Sequence, residues 1–224
     1  MPFHGILDKR RHLFASAEPR RDVGVSDPEA WRLNPAHRWV YDRLQVALSQ
    51  GLRAAPVEED PAAFGFARDE VVFVKPIINL EGMGRGAREA RAGVAPADPE
   101  SFWSERLEGR HVSSDCLVRE GEILWRSDTV ASAEHHRHRP LVWQVGHPCP
   151  EVDRVLQAWV CTYLPDYTGI CNLETIGGQV SEVHLRGSNG FLELYPDGFV
   201  AAWAELVDSG RWPGLEPMGE GYVL

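Results

Sequence analysis

Residues 169–190 read Gly-Ile-Cys-Asn-Leu-Glu-Thr-Ile-Gly-Gly-Gln-Val-Ser-Glu-Val-His-Leu-Arg-Gly-Ser-Asn-Gly, two alternating runs about a glycine pair. In the second run Glu182, His184 and Arg186 alternate with Val183 and Leu185. A period of two puts acid, imidazole and guanidinium on one face of a strand and the aliphatics on the other. In the first run Asn172 and Glu174 alternate with Leu173. The pattern specifies an antiparallel hairpin, and its register decides whether the polar faces coincide. A two-residue turn at Gly177-Gly178 pairs Glu174 with Ser181 and points Glu174 and Glu182 to opposite faces. A three-residue loop at 177–179 pairs Glu174 with Glu182 and Asn172 with His184, as glycine-bearing bulged loops do. The second register is expected, because Leu173, Val183 and Leu185 then share a face that can pack on a helix at 150–163. Facing carboxylates repel unless a cation sits between them. Oxygen ligands without sulfur suit Mg²⁺. A solvated acidic face neutralised by Arg186 is the other reading of the same residues.

Lysine occurs only at Lys9 and Lys75, and arginine supplies the other fixed positive charges. Lys75 ends the apolar run Val71-Val72-Phe73-Val74 and precedes Asn79-Leu80-Glu81-Gly82-Met83-Gly84-Arg85-Gly86. An ammonium at the end of a buried strand is costly without an anion. A compact, flexible point charge beside exposed backbone N–H groups suits a phosphate. The alternative is a strand-end lysine that snorkels to water.

The formal charge of −10, with no long basic block, argues against a nucleic-acid partner. The apolar runs are too short to span a bilayer, and the first residues lack a secretory pattern, so no membrane partner is expected. Cys116, Cys149, Cys161 and Cys171 form no Cys-x-x-Cys pair. Cys116, Cys161 and Cys171 sit in apolar surroundings, as buried free thiols do, which points to a reducing cytoplasm. His135, His136 and His138 are too close in sequence to converge on one ion and read as a solvated basic loop.

Along the chain, residues 1–36 are polar and rich in Arg and Pro, and predict an extended arm. Trp39, Leu44, Val46, Ala47 and Leu48 predict a helix over 37–50 closed by Gly51. Residues 54–69 read as connector, 71–76 as a strand, 77–86 as a glycine-rich loop poorly ordered without nucleotide, and 87–100 as mobile. Strands follow at 102–107, 111–118 and 122–126, with Glu120-Gly121 as a turn. Residues 127–140 read as a polar linker, 141–146 as a strand and 150–163 as a second helix buried through Val152, Val155, Leu156, Trp159 and Val160. Val200–Leu206 predicts a short helix packing back on the second lobe, and residues 219–224 a loose end.

The order of these parts resembles the ATP-grasp superfamily over residues 37–192. The matching pieces are Trp39-Val40-Tyr41-Asp42-Arg43-Leu44, Val74-Lys75-Pro76 with its glycine loop, and Glu105-Arg106-Leu107-Glu108-Gly109 followed by Ser113-Ser114-Asp115. They continue with Thr168-Gly169-Ile170-Cys171-Asn172-Leu173-Glu174 and with Glu182-Val183-His184-Leu185-Arg186. The resemblance implies an α+β fold of two lobes, mostly antiparallel sheets with nucleotide held between them. The arm would cover 1–36 and the domain 37–224, with lobes at about 54–104 and 105–195 and a tail over 196–224. It implies that Lys75 contacts the α- and β-phosphates, with Arg43 as a second phosphate cation. Gly82, Gly84 and Gly86 would let a loop close over ATP. The 104–107 hinge, Glu105 included, would bind adenine through its backbone, with Leu107 against the ring and His111 where a ribose-holding acid often stands. Glu174 and Glu182 would hold Mg²⁺ (or Mn²⁺), and Arg186 would meet the γ-phosphate or an acyl phosphate.

His184 stands where the family usually has a metal-binding Asn, and imidazole favours Mn²⁺ or Zn²⁺ over Mg²⁺. Asn189 or Asn172 would then supply the missing oxygen, or His184 would serve as a general base. Most members carry an N-terminal α/β domain that residues 1–36 cannot make. The acceptor site, for a small molecule or peptide, would come from a partner protein, a second copy or the arm, or be absent. The implied activity is an ATP- and metal-dependent carboxylate–amine ligase working through an acyl phosphate. The alternatives are a nucleotide-binding module without catalysis and a small-molecule kinase on the same fold.

Overall fold

The alternating runs become strands of two antiparallel sheets in the computed structural model. It describes residues 2–80, 86–94, 98–136, 139–188, 190–215 and 218–224, with backbone alone at 135, 136 and 139. The strands are β1 Phe3–His4, β2 Val23–Gly24, β3 Ala54–Pro56, β4 Val71–Pro76, β5 Arg88–Arg91, β6 Ser101–Glu105 and β7 His111–Arg119. They continue with β8 Glu122–Ala131, β9 His135–His136, β10 Arg139–Pro140, β11 Trp143–Val145, β12 Gly169–Ile176, β13 Gln179–His184 and β14 Gly221–Val223. The α-helices are α1 Asp27–Leu33, α2 Arg43–Ser49, α3 Pro150–Tyr163 and α4 Phe199–Ser209. One sheet has four strands in the order β3-β6-β4-β5, the other six in the order β13-β12-β7-β8-β11-β14. All pairings within both are antiparallel. This is the α+β, two-sheet architecture expected.

The six-stranded sheet is covered on both faces. On one, Val152, Leu156, Trp159 and Val160 of α3 pack with Val112, Cys116 and Val118 of β7 and with Leu173, Val183 and Leu185. On the other, Leu117 and Ile170 pack with Phe199, Trp203 and Leu206 of α4 and with Phe3 and Phe14. That second layer covers one end of the face bearing the hairpin's polar side chains.

The N-terminal segment is therefore no extended arm. Phe3 and Phe14 ring-pack against Trp203 at 5.3 and 6.4 Å, a 3₁₀ helix spans Asp8–Phe14, and β1 pairs in parallel with β2. Its apolar residues follow no single period, so no amphipathic pattern marks them in sequence. The helix expected over 37–50 is a 3₁₀ helix over Pro35–Tyr41 and then α2, broken at Asp42, whose extended backbone caps α2. Residues 54–69 hold β3 and a 3₁₀ turn at Pro61–Phe64 rather than a plain connector, and Arg88–Arg91 forms β5 at the start of the stretch expected to be mobile. The strand begun at Glu122 runs on to Ala131, so the polar linker is shorter than expected. The expected loose end forms β14, paired with β11. Cys116, Cys149 and Cys171 are buried, but Cys161 is exposed on α3, against the sequence reading.

Asp42 accepts from the Gln45 backbone N–H at 2.9 Å. Asp42→Ala should cost about 1 kcal/mol by loss of this cap. Urea denaturation of the two proteins measures it, and an unchanged midpoint would remove the cap from the account.

Candidate functional site

The hairpin pairs Glu174 with Glu182 and Asn172 with His184, the register that segregates polar from apolar. The loop that produces it differs from expectation. Ile176 pairs with Gln179 and Thr175 with Val180, so the turn is the two-residue Gly177-Gly178. Both glycines have positive φ, 57° and 81°, as this turn type requires. A bulge at Ser181 then shifts the pairing by one and brings the two glutamates opposite each other. The bulged residue's carbonyl accepts from Lys75 Nζ at 3.1 Å, joining the end of β4 to the hairpin. The amide of Gln50, just past α2, both donates to the Val180 carbonyl and accepts from its N–H at 2.7 Å. This covers the free edge of β13 and seats α2 beside it.

Helix α2 presents Arg43, whose Nη2 lies 2.8 Å from Glu182 Oε2; its side chain is only 3 % exposed. Burial works to raise Glu182, but Arg43, His184 and Lys75 outweigh it and hold the carboxyl well below the usual range. Glu174 lies opposite, 3.1 Å from His111 Nε2. Burial and the facing Glu182 work to raise Glu174, yet the His111 hydrogen bond together with the charges of His111 and His184 leaves it lowered. Burial brings the Lys75 ammonium down to about 8, against the pull of Glu182. His184 Nδ1 meets Asp27 Oδ1 at 2.9 Å, and its Nε2 faces Glu182 Oε2 at 3.4 Å. Burial and Arg186 lower His184, yet the carboxylates on its two sides leave it raised. Arg186 Nη2 donates to Asp27 Oδ2 at 3.0 Å.

Lys75, Arg43, Glu174, Glu182, His184 and His111 thus meet where α2, β4 and the hairpin converge. Arg186 stands one step away, its guanidinium turned to Asp27. Glu105 faces elsewhere: its carboxylate accepts from the Arg53 N–H at 2.8 Å, and its own N–H donates to Arg53 O at 2.8 Å. The Glu105 N–H is therefore already committed and is not a free donor for adenine. Leu107 is half-buried beyond the end of β6. Gly86 is exposed with φ 74°, and a Cβ there would meet Pro76 at 3.0 Å. Gly82, Gly84 and Asn189, and with them the expectation of a poorly ordered glycine loop, lie outside the described residues, as does His138.

The sequence reading missed Asp27, which reaches the hairpin from the segment expected to be an extended arm and is 7 % exposed. Only the Ser26-Asp27-Pro28 helix-start signal could have drawn attention to it. It also missed the polar support beneath the site. Asp115 accepts from Tyr195 Oη at 2.5 Å, the Ser188 N–H at 2.7 Å and Asn172 Nδ2 at 2.7 Å.

Glu174, Glu182 and His184 each offer a ligand atom, all within 4.8 Å of one another. Asp115 accepts from Asn172 Nδ2 and so orients that amide; Asn172 pairs with His184 in the hairpin, and its Oδ1 is buried with no hydrogen-bond partner among the described residues. Two carboxylates and one imidazole so placed fit a divalent cation.

No family model matches the chain, and no curated protein matches it. Solved structures do. Phosphoribosylamine–glycine ligase from Thermotoga maritima superposes with a TM-score of 0.61 at 15% identity, covering 98% of this chain and 68% of that one. L-amino acid ligase from Bacillus licheniformis gives 0.58 at 12% identity, covering 84% and 55%. The biotin carboxylase–βγ-ATP complex from Campylobacter jejuni gives 0.56 at 15% identity, covering 83% and 50%. The chain has the ATP-grasp fold. It spans about half the length of the L-amino acid ligase and the biotin carboxylase. Among the described residues no helix is long and apolar enough to cross a membrane.

Proposed function

We propose that this chain is an ATP- and divalent-metal-dependent ligase of the carboxylate–amine type. The observation that carries the reading is the convergence of Lys75 and Arg43 on the facing pair Glu174 and Glu182, within the ATP-grasp fold. Two of the similar structures are named as ligases and one as a nucleotide complex.

In this reading Lys75 binds the α- and β-phosphates, and Glu174, Glu182 and His184 hold the cation, with Asn172 or Asn189 as a further oxygen donor. The cation supplies charge neutralisation between the phosphates. Lys75 and Arg43 raise the local positive potential in a largely dehydrated site, where it acts most strongly. An acceptor carboxylate oxygen takes the terminal phosphoryl group and ADP leaves; an amine then displaces phosphate, forming the amide and releasing a proton. Arg186 steadies the acyl phosphate once nucleotide charge draws it from Asp27. The acceptor is a small molecule or peptide.

Titration calorimetry of ATP with Mg²⁺ and with Mn²⁺ tests the site. Lys75→Ala should weaken metal-dependent binding by roughly 10- to 100-fold, as loss of a charged hydrogen bond does. No binding with either metal would remove the ligase reading. Binding without ADP release, whatever carboxylate and amine are offered, would leave a nucleotide-binding module. The closed pairing of Arg43 with Glu182 favours that second reading.

A further inference from the structure

The hairpin's imidazole has two unlike environments. Nδ1 is 2.9 Å from Asp27 Oδ1, within hydrogen-bond range. Nε2 lies 3.4 Å from Glu182 Oε2, too long for a strong bond, and faces the two glutamates. A carboxylate on one ring nitrogen keeps the proton there and directs the lone pair to the other. Ring rotation is blocked as well: His184 is 2 % exposed and packs edge-on to Tyr41 at 5.9 Å. Asp27 is itself held by Arg186, at 3.0 Å. Asp27, His184 and the glutamate pair therefore form a carboxylate–imidazole–ligand series reaching from α1 into the site.

We infer that His184 Nε2 is a direct ligand of the cation in the proposed site and that Asp27 is its positioning residue, so that the centre selects Mn²⁺ over Mg²⁺. The inference rests on the metal-dependent reading above and adds the identity of the ion. Imidazole nitrogen suits Mn²⁺ and later dications, whereas Mg²⁺ demands oxygen and keeps its waters. Glu174 and Glu182 alone would be indifferent on this point. Asn172, paired with His184 in the hairpin and with its buried Oδ1 unpartnered among the described residues, is the candidate for a further neutral donor. Arg43 occupies Glu182 Oε2 and leaves Oε1 of that carboxylate for the cation.

The test is pulsed electron paramagnetic resonance of Mn²⁺ bound to the nucleotide-free protein, which detects nitrogen coordinated to the ion. Omitting nucleotide removes adenine nitrogen from the signal. The expected result is directly bound nitrogen in wild type, retained in His111→Asn and lost in His184→Asn. Labelling the histidines of wild type with ¹⁵N should convert the coupling to that of ¹⁵N, which decides the matter even if a His184 variant does not fold. In competition titrations Mn²⁺ should bind at least about 10-fold tighter than Mg²⁺, and His184→Asn should abolish that preference. Asp27→Asn should weaken Mn²⁺ by roughly 10- to 100-fold, as loss of the group behind a ligand does. Mn²⁺ bound without nitrogen coupling would overturn the inference and leave a carboxylate site. No Mn²⁺ bound at all would overturn both the inference and the metal-dependent function.

Discussion

Asp27→Ala should cost this protein roughly 3–5 kcal/mol of folding stability, because it strands the largely buried Arg186 guanidinium and leaves the buried His184 N–H without its acceptor. His184 and Arg186 lean on the Asp27 carboxylate at 2.9 and 3.0 Å, and Asp27 is 7 % exposed. Burial alone would raise Asp27, but His184 and Arg186 overcome it and bring it from 3.8 to about 2. The folded value lies below the unfolded one. The carboxylate's contribution is therefore present above about pH 4 and lost as pH falls through about 2. At roughly 1.4 kcal/mol per pH unit, this shift is worth about 2–3 kcal/mol, a large share of the expected loss. Urea denaturation of both proteins from pH 7 to pH 2 measures it. The gap between wild type and variant should be widest at neutral pH and shrink through that window. A gap independent of pH would mean that packing, and not the ion pairs, is what Asp27 contributes.

Gly177→Ala should destabilise by about 3 kcal/mol, whereas Gly178→Ala should cost only about 1–2 kcal/mol. Both residues have positive φ, at 57° and 81°, so both replacements carry the left-handed penalty. They differ in surroundings. A Cβ at Gly177 would stand 2.0 Å from the Glu108 carbonyl oxygen, while one at Gly178 meets nothing within 4 Å. Gly177 also donates its N–H to Arg110 O at 3.0 Å, so the turn cannot withdraw without releasing the segment that leads into β7. For a chain of this length the Gly177 variant should melt about 6–12 °C lower. Equal losses in the two variants would dismiss the Glu108 contact as the cause.

Much of the site was legible because it lies on one hairpin. Strict alternation at Asn172, Glu174, Glu182, His184 and Arg186 assigned faces, and the demand that Leu173, Val183 and Leu185 share a side selected the pairing. The means was misread. Sequence suggested a longer loop, where the chain uses a tight turn and a bulge at Ser181, because both devices shift register equally and leave the same alternation. Lys75 was legible as a cation out of place in an apolar run, but not its hydrogen bond to Ser181, which is 106 residues away.

Local pattern by itself determined the α3 stripe, the β4 run and the hairpin faces. Each of these repeats with a period that a short window of sequence displays. Only the tertiary structure decided that Phe3 and Phe14 belong to the α4 core, that Gln50 closes the edge of β13, and that Asp27 stands behind His184 and Arg186. Those contacts join residues more than a hundred positions apart, and their side chains carry no period. A single aspartate before a short helix looks the same whether it faces water or a buried imidazole. Folding brings the imidazole to it, and burial then makes the pairing strong.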